Sequence, residues 1–301
     1  MKPFVNLFVS YVVKQRRDGN KVKKWKTLLA VTTLTFGLAA CNETATPANK
    51  NVKETSEMTL EEVYNKSMAV SEELKSVSAK VDLAQKMHIP SEEMNVDIST
   101  AMDMNLIIEP MQIYQKGTTS MKSEDGSMNE TMDTEIYFND TDLYMYEGTT
   151  QQWMKLPQEA MGDVMAQTNS ANPANSLAEI EEYLKDFKFE QDDKNYILTL
   201  DASGDKFNDL VQAQIDETMQ SMAQAGEDVQ LDVKINSINY LIHIDKESFQ
   251  TTKYDVIVDM DMEAEGESIN MKQDLKTDFS NFNGVDKIEI PQEVIDNAVA
   301  I

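Results

Sequence analysis

Residues 254–263 read YDVIVDMDME. Tyr254, Val256, Val258, Met260 and Met262 occupy every second position, with Asp255, Ile257, Asp259, Asp261 and Glu263 between them. Successive side chains of a β-strand point to opposite faces, so this spacing predicts a long strand with one apolar face and one mostly acidic face. A strand buried on one side only belongs to an antiparallel sheet.

The neighbouring segments carry the same period. Val229 to Asp245, Thr252 to Glu265 and Ser268 to Asp278 are long strands with short connections, which predicts a meander. Earlier in the chain Val77, Ala79, Val81, Leu83 and Met87 alternate with polar residues. Met94, Val96, Ile98, Met102, Met104 and Leu106 do so too, separated by Asn95, Asp97, Ser99, Asp103 and Asn105. EIYFNDTDLYMYEGTTQQWMKLP (135–157) reads as a hairpin turning at residues 139–142, with a third short strand ending at Trp153. A second hairpin is expected over 187–200, turning at residues 192–195.

Helical signals are local. Thr59-Leu-Glu-Glu62 is a capping box, Met58 and Val63 form a hydrophobic staple, and the helix runs to about residue 76. Ser176-Leu-Ala-Glu179 reads as another capping box, with Leu177, Ile180, Leu184 and Phe187 on one stripe. A weak helix is expected from Pro157 to about Gln167. A strongly amphipathic one is expected from Asp205, with Phe207, Leu210, Val211, Ile215, Met219 and Met222 inward and Gly226 as its stop. The fold class expected is therefore α+β: one large curved antiparallel sheet, an open half-barrel, with helices packed on its concave face.

The single cysteine sits where the chain changes character. Lys21, Lys23, Lys24 and Lys26 precede an apolar run, Thr27 to Ala40, that is too short to span a bilayer, which takes about 20 residues. Basic patch, short apolar run and small residues together make a secretory signal peptide. Leu38, Ala39, Ala40 and Cys41 resemble the lipobox of bacterial lipoproteins, which implies a diacylglyceryl thioether on Cys41 and anchoring at the extracytoplasmic face of the cell membrane. Residues 1–40 are thus read as signal, with 1–21 read as lying upstream of the true start at Val22. Residues 41–57 are read as a lipidated flexible tether, with a reach of roughly 20 Å, and 58–301 as the half-barrel domain.

Charge narrows the function. Residues 1–41 hold eight of the 27 Lys/Arg and one of the 53 Asp/Glu; the remainder keeps 19 and 52, a formal charge of −33, with no arginine. Nucleic-acid binding requires a cationic footprint, so it is excluded as a reading. Anionic headgroups should repel the body while the lipid holds it. With Cys41 acylated no disulfide can form, and about 245 residues suffice for a self-supporting core.

Methionine is the unusual component: 19 of the 20 lie beyond residue 41. Thioethers bind Cu(I), and Met102 with Met104, or Met260 with Met262, has the spacing for it. On a strand, however, that spacing only places both on one face, where they continue an apolar stripe. Core or cavity lining is the simpler reading, because methionine adapts to irregular apolar partners. The candidate cavity residues are Met94, Val96, Ile98, Met102, Met104, Val256, Val258, Met260 and Met262. The acidic residues of the strand at 254–263 lack the loop and glycine turn of a calcium site. His88 and His243 fit no zinc pattern, and there is no nucleophile elbow, phosphate loop or dinucleotide fingerprint. No cofactor, no metal and no catalysis are expected.

Taken together, the lipobox, the first helix, the alternating strands, IYFNDTDLYMYEGTTQQWMKLP, the late meander and the closing IEIPQEV (288–294) resemble an uncharacterised family of Gram-positive lipoproteins. Their organisation is similar to that of the LppX/LprG and LolA/LolB half-barrel families over roughly residues 58 to 298. The resemblance implies an open half-barrel holding acyl chains on its concave face, and it transfers no individual ligand residue. The reading is a non-catalytic lipoprotein that binds a lipid or other hydrophobic ligand in a Met-rich cavity. The alternative is an envelope protein-interaction or sensory lipoprotein without a small ligand; its protein partner is not identified by the sequence.

Overall fold

The computed structural model of the 301-residue chain describes residues 44–49, 52, 55–139, 141–157, 171–203, 231–264 and 267–300. The signal segment with Leu38, Ala39, Ala40 and Cys41 lies outside the described residues. So do the helix expected from Asp205 and, past Pro157 itself, the one expected to reach Gln167.

Among the described residues thirteen strands form one sheet. They are β1 (Thr46–Pro47), β2 (Ser76–Ile89), β3 (Met94–Ile107), β4 (Gln112–Ser123), β5 (Asn129–Phe138), β6 (Leu143–Glu147) and β7 (Gln152–Leu156). β8 (Lys188–Gln191), β9 (Asn195–Ser203), β10 (Leu231–Asp245), β11 (Thr251–Ala264), β12 (Glu267–Ser280) and β13 (Val299–Ala300) complete it. The spatial order is β1-β8-β9-β10-β11-β12-β2-β3-β4-β5-β6-β7-β13. Two antiparallel meanders, β2–β7 and β8–β12, are therefore joined through β12 on β2 into a large, open, curved sheet.

The first and last of these strands each lie on the far meander. The N-terminal β1 lies parallel on β8, and the C-terminal β13 lies parallel on β7. Unpaired edges invite association with other chains, and these two-residue strands cover part of both. Residues read as free tether thus join the fold: Ala45 is fully buried, Thr44 bridges Thr59, and the Ser56 N–H donates to the Ala45 carbonyl at 2.9 Å.

Helices are few and short among the described residues: α1 (Leu60–Glu72), α2 (Pro173–Ala178) and α3 (Gln292–Asn297). α1 begins as its sequence dictates. Thr59 Oγ1 accepts from the Glu62 N–H, and a Glu62 carboxylate oxygen accepts from the Thr59 N–H. Val63, Ser67 and Ser71 recur every four residues on its buried side. α2 departs from expectation. Its N-cap is Asn172, whose Oδ1 accepts from the Ala174 N–H, and Pro173 fills the first turn, where its missing N–H costs nothing. Ser176 falls inside the helix, which stops at Ala178, and a 3-10 turn over Glu181–Asp186 takes the place of a longer helix.

The two sheet faces differ. On the inner face Val77, Ala79, Val81, Leu83 and Met87 of β2 meet β12 residues Met271, Leu275, Thr277 and Phe279, all buried. β11 continues the same face with Tyr254, Val256, Val258, Met260 and Met262, and β10 with Ile235, Ile238, Tyr240 and Ile242. Each such aliphatic side chain contributes about 1.5–3 kcal/mol on burial. Sequence patterning located this face correctly; it did not place β4 or the start of β5.

Candidate functional site

Strand register gathers the predicted cavity residues on one face. One cross-strand row runs Ile235, Met260, Met271, Met87, Val96. The next runs Ile238, Val258, Gln273, Gln85, Ile98, Met121, and a third Ile242, Tyr254, Thr277, Val81, Met102, Gly117. Met104 stands opposite Ala79, and Met94 opposite Ile89 at the end of β3. Val256 pairs with Tyr240 and Leu275, and Met262 with Val233 and Ile269.

Burial divides the set. Val96, Met104, Val256, Val258, Met260 and Met262 are buried, whereas Met94, Ile98 and Met102 are half-buried and border the core. Met121 and Met145, further along the same face, are half-buried as well. The inner face is therefore sealed over β10, β11, β12 and β2 and partly open over β3 to β6. Polar groups inside it are paired: Gln85 Nε2 donates to Gln273 Oε1 at 3.1 Å, and the Tyr254 hydroxyl donates to Glu179 Oε2 at 3.3 Å. Burial, with help from Tyr240 and Glu179, pushes the Tyr254 hydroxyl well above the usual phenol range.

The acidic residues of β11 occupy the outer face. Asn236 Nδ2 donates to Asp259 Oδ1 at 3.0 Å and to Asp261 Oδ2 at 3.1 Å, and Asn270 Nδ2 donates to Asp261 Oδ1 at 2.7 Å. Those two amides hold the Asp261 carboxyl below its ordinary range. Glu263 is exposed, and Asp255 lies against Lys253. Among the described residues no group of three or more His, Cys, Asp or Glu side chains is arranged to hold a metal ion. His88 and His243 lie on β2 and β10; His88 Nδ1 is 2.8 Å from Asn95 Oδ1. No helix among the described residues is long and apolar enough to cross a membrane.

A feature that sequence reading missed lies on the outer face. A single row crosses the sheet as Lys253, Asp278, Lys80, Asp103, Lys116, Glu135, Tyr146, Trp153. Charge alternates in sign through its first six members. Ion pairs follow at 2.8 Å for Lys253–Asp278, 3.8 Å for Lys80–Asp103 and 3.1 Å for Lys116–Glu135. Only the register reveals the row, since its members come from eight strands.

At the aromatic end Tyr137 packs between Tyr114 and Trp153, with centroids 4.8 and 5.8 Å away, and Trp153 also meets Tyr146 at 5.4 Å. The Tyr114 and Tyr137 hydroxyls both donate to Glu135 Oε1, at 3.1 and 3.3 Å. Burial and the Glu135 charge raise both phenols above their ordinary range. Beside this row the outer face sinks into a groove of about 740 Å³, bordered by Lys80, Asp82, Asp103, Lys116, Asp133 and Glu135 and closed at one end by Tyr146 and Trp153.

Comparison with known proteins adds a family. A model described as a family of unknown function (DUF6612) matches residues 59–299. No curated protein matches the chain. Among solved structures, a DUF1329 family protein from Desulfovibrio piger is 7% identical, with 76% of this chain and 95% of that one covered and a TM-score of 0.22. A beta-barrel-like protein of domain of unknown function DUF1849 from Brucella abortus is 8% identical, with 69% and 99% covered and a TM-score of 0.19. Likenesses of that size carry no functional information, and the similarity to LppX/LprG and LolA/LolB proteins stays a resemblance of organisation.

Proposed function

This chain belongs to the DUF6612 family, whose function is unknown, and on that premise we propose that it is a non-catalytic binding module. It holds a lipid or other apolar ligand against the inner face of its sheet. A diacylglyceryl group on Cys41 anchors it to the extracytoplasmic face of the cell membrane.

The observation that carries this reading is the half-buried apolar stretch of β3 and β4. Met94, Ile98, Met102 and Met121 share the inner face with a sealed core yet keep part of their surface open. Such a surface favours an apolar cover, and each methylene of an acyl chain buried there is worth about 0.8 kcal/mol. Unbranched thioether side chains adjust to chains of differing shape, which suits a carrier better than a rigid aliphatic wall does. In this reading helices lie over the concave face and ligand enters from the β3–β5 side.

Native mass spectrometry of protein purified without detergent, combined with uptake of a fluorescent fatty acid, tests the ligand. A co-purified mass and saturable uptake that Met102→Glu with Met121→Glu abolishes are expected. A clean apo mass with no uptake overturns the reading. Anchoring is tested separately by labelling with a palmitate analogue, which Cys41→Ser should eliminate.

A further inference from the structure

The half-buried stretch of the inner face is not uniformly apolar. Thr100 stands opposite Thr119, Gly117 opposite Thr134, and Gln115 two residues before Gly117 on β4. All five are half-buried. The Thr100 and Thr119 hydroxyls lie 2.9 Å apart and share a hydrogen bond, which leaves one of their O–H groups to donate elsewhere. Gln115 and Thr134 keep their side-chain donors and acceptors free among the described residues. Apolar residues flank this patch along the strands, Ile98 and Met121 on one side, Ile136, Met145 and Met154 on the other. Charge is divided between the faces just as unevenly. Lys116, Lys122 and Lys155 are the only basic residues of β3 to β7, and all stand on the outer face, opposite Asp103, Asp97 and Tyr144. On the inner face of these strands the only ionisable groups are Glu130, opposite Met121, and Glu147, opposite Thr134.

We propose that the ligand of this face is an uncharged acyl ester, an inference that rests on the proposed binding function and names the class of ligand. The ester oxygens lie over Thr119, Thr134 and Gln115, and hydrocarbon runs from them to both sides along the apolar residues. A polar patch between two apolar stretches matches a ligand that is polar in its middle. An ester is such a ligand, whereas a free fatty acid or an alkylamine is polar at one end and covers one stretch only. Charge separates the candidates further. A carboxylate or phosphate placed here gives up its water and finds no cation, only Glu147 beside Thr134. Neutral ester oxygens accept from the hydroxyl and amide donors without that cost. An ammonium group could meet Glu147, which makes the amine the competitor to be tested.

The full chain is titrated with three ligands that share one fluorescent acyl tail: the free acid, its butyl ester and the corresponding amine. Near neutral pH the ester should bind at least about tenfold more tightly than either the acid or the amine. The acid should gain affinity as pH falls, because protonation removes its charge. Thr119→Val with Thr134→Val keeps the side-chain shape and removes both hydroxyls, so the advantage of the ester should shrink by about threefold or more. Glu147→Lys sets a cation beside Thr134 and should move the preference towards the acid by about tenfold. Acid or amine binding as tightly as the ester, or a ratio unchanged in both folded variants, overturns the inference and leaves the apolar binding face standing. Uptake of none of the three overturns both. Thermal unfolding midpoints establish that each variant is folded, and the comparison in the unsubstituted chain is decisive without them.

Discussion

Ser67 on α1 and Thr251 at the start of β11 share a hydrogen bond, Oγ to Oγ1 at 3.1 Å, and neither residue has any solvent-exposed surface. The pair ties the first helix to the later meander across 184 residues of sequence. Removing one hydroxyl strands the other in a place water does not reach, so Ser67→Ala or Thr251→Val alone should cost roughly 1–3 kcal/mol. The double variant should cost clearly less than the sum, because no polar group is then left unpaired. Additive losses in a denaturant double-mutant cycle would show that the two hydroxyls do not depend on each other.

Asp255 offers a stability prediction with a definite sign. Its Oδ1 is buried without a hydrogen bond, and Lys253 Nζ stands 3.6 Å away. Burial, reinforced by Asp278 and opposed by Lys253, raises the carboxyl above its ordinary value of 3.8. A raised carboxylate pKa in the folded state means that ionisation costs stability. That cost is fully present above the folded pKa and disappears as pH falls below the unfolded value. Asp255→Asn should therefore unfold at a higher temperature near pH 7, with the advantage shrinking towards about pH 3. A lower midpoint for the Asn variant near neutrality would contradict this.

The docked N-terminal segment predicts a pattern of hydrogen exchange. The Ala48 N–H donates to the Gln191 carbonyl at 2.8 Å, and the Ser56 N–H to the Ala45 carbonyl at 2.9 Å. Both amides should be protected, whereas an unattached tether would exchange at free-peptide rates. Ala45→Glu forces a carboxylate into a fully buried position, so it should release both amides while β10 to β12 keep their protection. For a lipidated Cys41 the consequence is steric. Three residue steps, about 10 Å at full stretch, separate it from Thr44, so the β1–β8 edge would be held close to the bilayer.

How far these features could be read from sequence follows from their chemistry. Residues 254–263, β2 and β3 announce themselves because one face is apolar and the other charged, and the Thr59–Glu62 box fixes the start of α1. β4 and β5 do not. Gln115, Gly117 and Thr119 occupy the inner face of β4, and Thr134 and Met132 that of β5, so no two-residue period emerges. At α2 two start signals overlap, and Asn172 followed by Pro173 prevails over Ser176 and Glu179 because it satisfies the first-turn N–H groups earlier. The outer ladder depends on register among eight strands, and composition sees only an excess of acid.

Gly117 lies opposite the half-buried Met102 in the β3–β4 pair. A Cβ at this position would stand 2.7 Å from the Ala101 carbonyl oxygen and 3.1 Å from the Met102 Cβ. The first contact is with backbone, which cannot rotate away, so β3 and β4 would have to separate locally. Gly117→Ala should cost roughly 1–3 kcal/mol by this overpacking, even though alanine is the better strand residue. Were the Met102 Cβ the obstacle, Met102→Gly, which removes that atom, would restore the stability of Gly117→Ala. Because the carbonyl oxygen is the obstacle, the double variant should stay as unstable as the two losses combined, and rescue in thermal unfolding would refute this account of the glycine.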